Sequence, residues 1–110
     1  QRVLEIRRLL GDKIEEAAAL NKLGEVYNRL NQPDQALEVL QQSVNLYKVI
    51  ADKAAIGEVI DNIGTSYRLK SDNTKALEFY QQALTIRQQL KDKQGEGKTL
   101  SNIGLTHNNQ

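Results

Sequence analysis

Apolar residues recur along this chain at the spacing of a single helix face. Leu20, Leu23, Tyr27 and Leu30 stand at i, i+3, i+7 and i+10, and Leu37, Leu40, Val44 and Tyr47 repeat that spacing. The pattern predicts helices near 2–10, 13–30, 33–50, 53–70, 73–90 and 93–108. Punctuation agrees with it. Asp12, Asp52 and Asp92 stand where an N-cap carboxylate accepts from the open amides of a first turn, and Asp12 with Glu15 has the spacing of a capping box. Pro33 suits a first helical turn, where its missing N–H is not needed, and Ser71 or Asp72 marks the equivalent start further on.

The pattern itself repeats. Gly24, Gly64 and Gly104 are 40 residues apart, as are Tyr27 and Tyr67, Ala36-Leu37-Glu38 and Ala76-Leu77-Glu78, Gln41-Gln42 and Gln81-Gln82, and the three Asp-Lys pairs that begin at Asp12, Asp52 and Asp92. Leu4-Glu5-Ile6-Arg7 lies 80 residues before Leu84-Thr85-Ile86-Arg87. The chain therefore divides into a half repeat at 1–10, repeats at 11–50 and 51–90, and a half repeat at 91–110. The expected fold is all-α, six antiparallel helices stacked as hairpins into a solenoid. Small residues at fixed points, Gly24, Gly64 and Gly104 on the first helices and Ala36, Ala76 and Ala83 on the second, mark where paired helices approach closely.

Composition narrows the function. One Pro and seven Gly leave too few turn signals for an all-β chain. Fifteen Lys and Arg against fourteen Asp and Glu give a net charge of +1, which offers nucleic-acid phosphates no basic surface. No apolar run approaches the ~20 residues that span a bilayer, and no secretory leader is visible, so a cytoplasmic location is the default expectation. With no Cys and one His, His107, neither a thiolate metal site nor a catalytic constellation can be assembled, and no cofactor, metal or enzymatic activity is expected. Residues 93–99 end in Gly-Lys-Thr like a phosphate-binding loop, but Asp92 stands where that loop needs its first Gly, and a helix precedes it where a strand is required. Gly95 and Gly97 are read instead as a flexible helix start.

The repeat resembles the tetratricopeptide repeat. Leu23-Gly24 followed by Tyr27, and Ile63-Gly64 followed by Tyr67, are similar to that family's first-helix motif, and Ala36, Ala76, Tyr80 and Ala83 to its second-helix motif. The spacing of 40 is similar to the longer variant of kinesin light chains, Pins-type polarity adaptors and bacterial multidomain signalling proteins. Leu20, Ile60 and Leu100 replace the family's frequent Trp, Ser43 replaces an Ala, and His107 a Tyr.

The resemblance implies a non-enzymatic interaction scaffold that binds a protein or peptide partner in a concave groove lined by the first helices. Carried over residue by residue, its groove positions are Ala18, Asn21, Lys22, Glu25 and Asn28, then Glu58, Asp61, Asn62, Thr65 and Arg68, then Lys98, Ser101, Asn102 and Leu105. Asn62 and Asn102 are the residues expected to grip a peptide backbone, since an amide both donates and accepts. Of the family's carboxylate clamp only Asn62 and Lys98 remain; Asn21, Glu25 and Asn102 replace the first Lys, the first Asn and the Arg. Lys22, Arg29, Arg68 and Lys98 face Glu25, Glu58 and Asp61, a mixed groove that suits a polar, charge-patterned peptide.

A second expectation comes from the ends. The chain opens at Gln1 rather than Met and closes on Asn108-Asn109-Gln110 with no helix-ending signal, as a fragment of a larger protein would. Val3, Leu4, Ile6, Leu9 and Leu10 at one end complement Leu100, Ile103 and Leu105 at the other, so head-to-tail self-association is the alternative role.

Overall fold

The computed structural model describes the backbone of residues 2–108 and the side chains of residues 11–108. Five helices account for it: α1 (Arg2–Arg29), α2 (Pro33–Ile50), α3 (Lys53–Leu69), α4 (Asn73–Gln89) and α5 (Lys93–Asn108).

Their turns are built alike. Asn31, Ala51, Ser71 and Lys91 take left-handed backbone with φ between 57° and 65°. The amide of the following residue then bonds back across the turn, Gln32 to the Tyr27 carbonyl, Asp52 to Tyr47, Asp72 to Tyr67 and Asp92 to Arg87, which closes the last turn of each helix. The next helix opens on a carboxylate cap: Asp52 accepts from the Ala55 amide at 3.1 Å, Asp72 from Lys75 at 3.2 Å and Asp92 from Gly95 at 2.9 Å. Gln32 contributes no side-chain cap, and there Pro33 takes the first helical position.

The expected break between 2–10 and 13–30 does not occur. α1 runs straight through Gly11 and Asp12, so there are five helices rather than six, and Asp12 lies inside a helix instead of capping one. Gly11 occupies the repeat position that is left-handed at Ala51 and Lys91, and Gly would adopt that conformation most readily. A turn, however, opens up to four carbonyls on one side and four amides on the other, and only packing between the two helices repays them. Keeping Gly within a helix costs only about 1 kcal/mol relative to Ala. Continuation of α1 is the lower-cost course. The side chains of Val3, Leu4, Ile6, Leu9 and Leu10, expected to complement the other end of the chain head to tail, lie outside the described residues.

α1 packs on α2 and α3 on α4 as antiparallel hairpins, α2 meets α3 and α4 meets α5 across the hairpins, and α1–α3 and α3–α5 also touch. The stack measures 56 × 31 × 18 Å. Its core runs through Ala17, Ala36, Leu40, Val44, Tyr47, Val59, Ile60, Ile63 and Ala83, with Tyr27, Tyr67 and Phe79 packed against it. Two of the three repeat glycines lie where hairpin helices cross: a Cβ on Gly24 would enter the Leu40 side chain, and one on Gly64 would meet the Tyr80 ring at 2.8 Å, whereas Gly104, expected to mark a close approach too, has nothing within 4 Å. Ser43 is accommodated where an Ala was expected because its hydroxyl donates to the Ala17 carbonyl at 2.7 Å. Tyr67 stacks on Phe79 with centroids 5.3 Å apart.

Candidate partner-binding groove

The first helices α1, α3 and α5 form one wall, and its seams are polar. Asn62 donates to Asn21 Oδ1 at 2.8 Å and to Glu25 Oε1 at 3.3 Å. One repeat later, Asn102 donates to Asp61 Oδ1 at 3.2 Å. Asn21 and Asp61 hold equivalent repeat positions, as do Asn62 and Asn102, so the same bond ties each first helix to the next. Asn28 adds a bond from its amide to the Asn62 carbonyl at 3.2 Å and accepts from Ser66 at 2.8 Å.

Behind the α3–α5 seam is a buried charge pair. Asp61 is 1% exposed and Arg87 7%, with Arg87 Nη2 3.6 Å from Asp61 Oδ2. Thr99 donates to the same carboxylate at 3.3 Å. Burial raises the Asp61 carboxyl above the ordinary carboxylate range; the bond from Asn102, the charges of Arg87 and Lys98 and the bond from Thr99 oppose that rise without cancelling it. Arg87 donates no hydrogen bond among the described residues, and its Nε is buried without a partner. Gly95 is part of this arrangement. It is buried, and a Cβ there would collide with the Asp92 carboxylate and stand 2.6 Å from Arg87 Nη1, so it is a packing position and not the flexible helix start expected of it.

Two clefts open on the wall. One, of about 280 Å³, is lined by Glu25, Asn28, Arg29, Asn62, Thr65 and Lys98. The other, of about 440 Å³, lies between the N-terminal halves of α3 and α5 and includes Asp52, Glu58, Arg87, Asp92, Gly95 and Lys98 in its lining. Lys98 borders both. Among the described residues no group of three or more side chains could hold a metal ion, and no helix is long and apolar enough to cross a membrane.

Two tetratricopeptide-repeat family models match the sequence, one over residues 1–48 and one over residues 59–94. The chain carries tetratricopeptide repeats. Among solved structures it is similar to the tetratricopeptide-repeat domain of Arabidopsis FLU, with a TM-score of 0.82 at 16% identity, over 88% of this chain and 82% of that one. This likeness is one of fold. No curated protein sequence matches the chain.

Tetratricopeptide repeats generally mediate protein–protein interactions, and the residues carried over from the family divide by exposure. Lys22, Glu58, Lys98 and Ser101 are exposed, and Glu25, Thr65, Arg68 and Asn102 are half-buried. Asn21, Asn28, Asp61 and Asn62 are buried. Glu25, Asn28, Asn62, Thr65 and Lys98 come together at the smaller cleft, and Glu58 and Lys98 at the larger. Lys22 and Ser101 border neither. Thr65 and Tyr80 share a hydrogen bond at 2.7 Å, and the Arg68 charge bears on the same hydroxyl. Both amide hydrogens of Asn62 are taken by α1, and Asn102 is bonded to α3. That amends the expectation that these amides stand open for a peptide.

Arg87 was not among the expected residues, although the sequence carries its signal. It stands on the apolar seam of its helix where the preceding repeat has Tyr47, and Gly95 stands where that repeat has Ala55.

Proposed function

We propose that this chain is a non-enzymatic scaffold that holds a peptide or partner segment against the wall of α1, α3 and α5. The observation that carries this reading is the pair of adjacent clefts, lined with charged and amide groups and sharing Lys98. The exposed Lys22, Glu58, Lys98 and Ser101, with the half-buried Glu25, Thr65, Arg68 and Asn102, are its contact set. Asn21, Asn28, Asp61 and Asn62 support that set from behind. The test is a pull-down with the immobilised chain, competed by the free chain. A partner displaced by the free wild-type chain and not by its Lys98→Glu variant supports the groove; equal displacement by both moves binding to another surface.

A second reading, head-to-tail assembly, is favoured by α5. Ile60 on α3 is 7% exposed beneath α4, whereas its equivalent Leu100 on α5 is 54% exposed, Leu105 is 49% exposed, and a Cβ on Gly104 would meet nothing within 4 Å. Sedimentation that rises with concentration and is abolished by Leu100→Glu supports assembly; a monomer at all concentrations refutes it.

A further inference from the structure

Two departures from the repeat coincide in the larger cleft. Where Tyr47 fills the seam of the preceding repeat, the equivalent residue is Arg87, and where Ala55 follows, the chain has Gly95, whose missing Cβ leaves room for that guanidinium. The Tyr47–Ala55 pair shows that the fold needs no charge there. Arg87 is nonetheless 93% buried by its 7% exposure, lines the cleft, and has Asp61 at 3.6 Å as its one ionic contact. A buried donor group left unpaired is costly and calls for an acceptor. A position that breaks the local rule in this way is where a binding function is expected.

The rest of the lining selects the acceptor. Asp52, Glu58 and Asp92 border the cleft against Lys98 alone, and the charge of Arg87 is already faced by Asp61. An incoming carboxylate would meet a net negative field. A main-chain carbonyl satisfies Arg87 without adding charge, and cationic side chains on either side of it meet acceptors. Asp52 and Asp92 each use one oxygen, Oδ1, as a helix cap, which leaves Oδ2 for a ligand.

We propose that the cleft between the N-terminal halves of α3 and α5 is a subsite for a lysine- or arginine-bearing stretch of an extended peptide. Arg87 donates to a main-chain carbonyl there, and Asp52, Glu58 and Asp92 receive the flanking cationic side chains. The proposal rests on the groove reading and gives that groove a ligand chemistry.

The experiment is an NMR titration of the ¹⁵N-labelled chain with short acetylated and amidated Gly/Ser peptides bearing several Lys, several Glu or neither. The Lys peptide is expected to shift the Arg87 Nε–H and the Gly95 and Lys98 amides saturably, at a concentration at least about tenfold below that of the neutral peptide; the Glu peptide is expected to leave them in place. Glu58→Lys, at an exposed position, should weaken the Lys peptide by about tenfold, the scale of exchanging an exposed ion pair for a repulsion. Arg87→Tyr, which imports the residue of the preceding repeat, and Arg87→Lys, which keeps the charge without the fork, should both weaken it. Equal shifts with the Glu peptide, unchanged affinity in Glu58→Lys, or unchanged affinity in both Arg87 variants would overturn the proposal. A Lys peptide that shifts only Asn28, Thr65 and their neighbours also overturns it while leaving the groove reading intact. If no peptide shifts any residue of α1, α3 or α5 at millimolar concentration, both fall.

Discussion

One substitution, made at two equivalent glycines, should change stability in opposite directions. Gly64 and Gly104 occupy the same repeat position on helices of the same kind, and in a free helix each Gly→Ala change gains about 1 kcal/mol of helix propensity. At Gly104 nothing lies within 4 Å of the new Cβ. That gain is kept, reduced to between ~0.5 and ~1 kcal/mol because the site is close to the end of α5, where fraying dilutes it. At Gly64 the Cβ would stand 2.8 Å from two Tyr80 ring carbons, when carbon–carbon contacts are comfortable at about 3.5–4.0 Å. The ring is rigid, 0% exposed, and tied by its hydroxyl to Thr65 at 2.7 Å, so it cannot yield without opening the α3–α4 hairpin. Overpacking costs about 1–3 kcal/mol, and against a ring that cannot move aside it falls in the upper part of that range, about 2–3 kcal/mol; with the propensity gain of about 1 kcal/mol subtracted, Gly64→Ala should lose about 1–2 kcal/mol. For a chain of this length about 1 kcal/mol corresponds to roughly 4 °C in Tm. Thermal melts followed by circular dichroism should therefore put Gly104→Ala some ~2–4 °C above wild type and Gly64→Ala ~4–8 °C below. A Gly64→Ala protein as stable as wild type would refute the close crossing of α3 and α4. If Gly104→Ala proves destabilised, more so at high protein concentration, the face of α5 is covered by another molecule.

Further outcomes follow from the same contacts. Ala76 is 0% exposed against α3, so Ala76→Leu should destabilise by roughly 1–3 kcal/mol in urea unfolding, and no loss would contradict the assigned hairpin interface. Asn62→Ala leaves the acceptors at Asn21 and Glu25 without their donor and should cost roughly 1–3 kcal/mol of stability in the same assay even with no partner present; an unchanged midpoint would return Asn62 to the solvent-facing set. Because the Asp61 pKa is raised in the folded chain, its protonation favours folding: its stabilising contribution is fully present below the unfolded value and is lost as pH rises through the raised one. The stability of wild type relative to Asp61→Asn should accordingly increase as pH falls from neutral to about 4, and a pH-independent difference between the two would show that Asp61 titrates at its unfolded value.

Periodicity alone determined most of this architecture. The i, i+3, i+7 spacing and the recurrence at 40 residues place α2 through α5 to within a residue or so, because a helix that buries one stripe must carry that stripe in its sequence. The caps at Asp52, Asp72 and Asp92 were legible for the same local reason. The groove wall follows from repetition, since stacked hairpins bring equivalent helices side by side. Where sequence and structure part, the deciding quantity is long-range. Gly11-Asp12 has the local signature of a turn and forms none, because a turn persists only when the helices on both sides repay its open backbone groups through packing. Asn62 and Asn102 look like free amides on an exposed stripe, and only the approach of neighbouring first helices commits them to Asn21, Glu25 and Asp61. Gly95 reads as a flexible residue until Arg87, eight positions earlier on another helix, is folded against it. Helix and register are written locally by spacing and capping. Which polar groups face a partner and which face each other is set by the distance between helices, and that exists only in the folded stack.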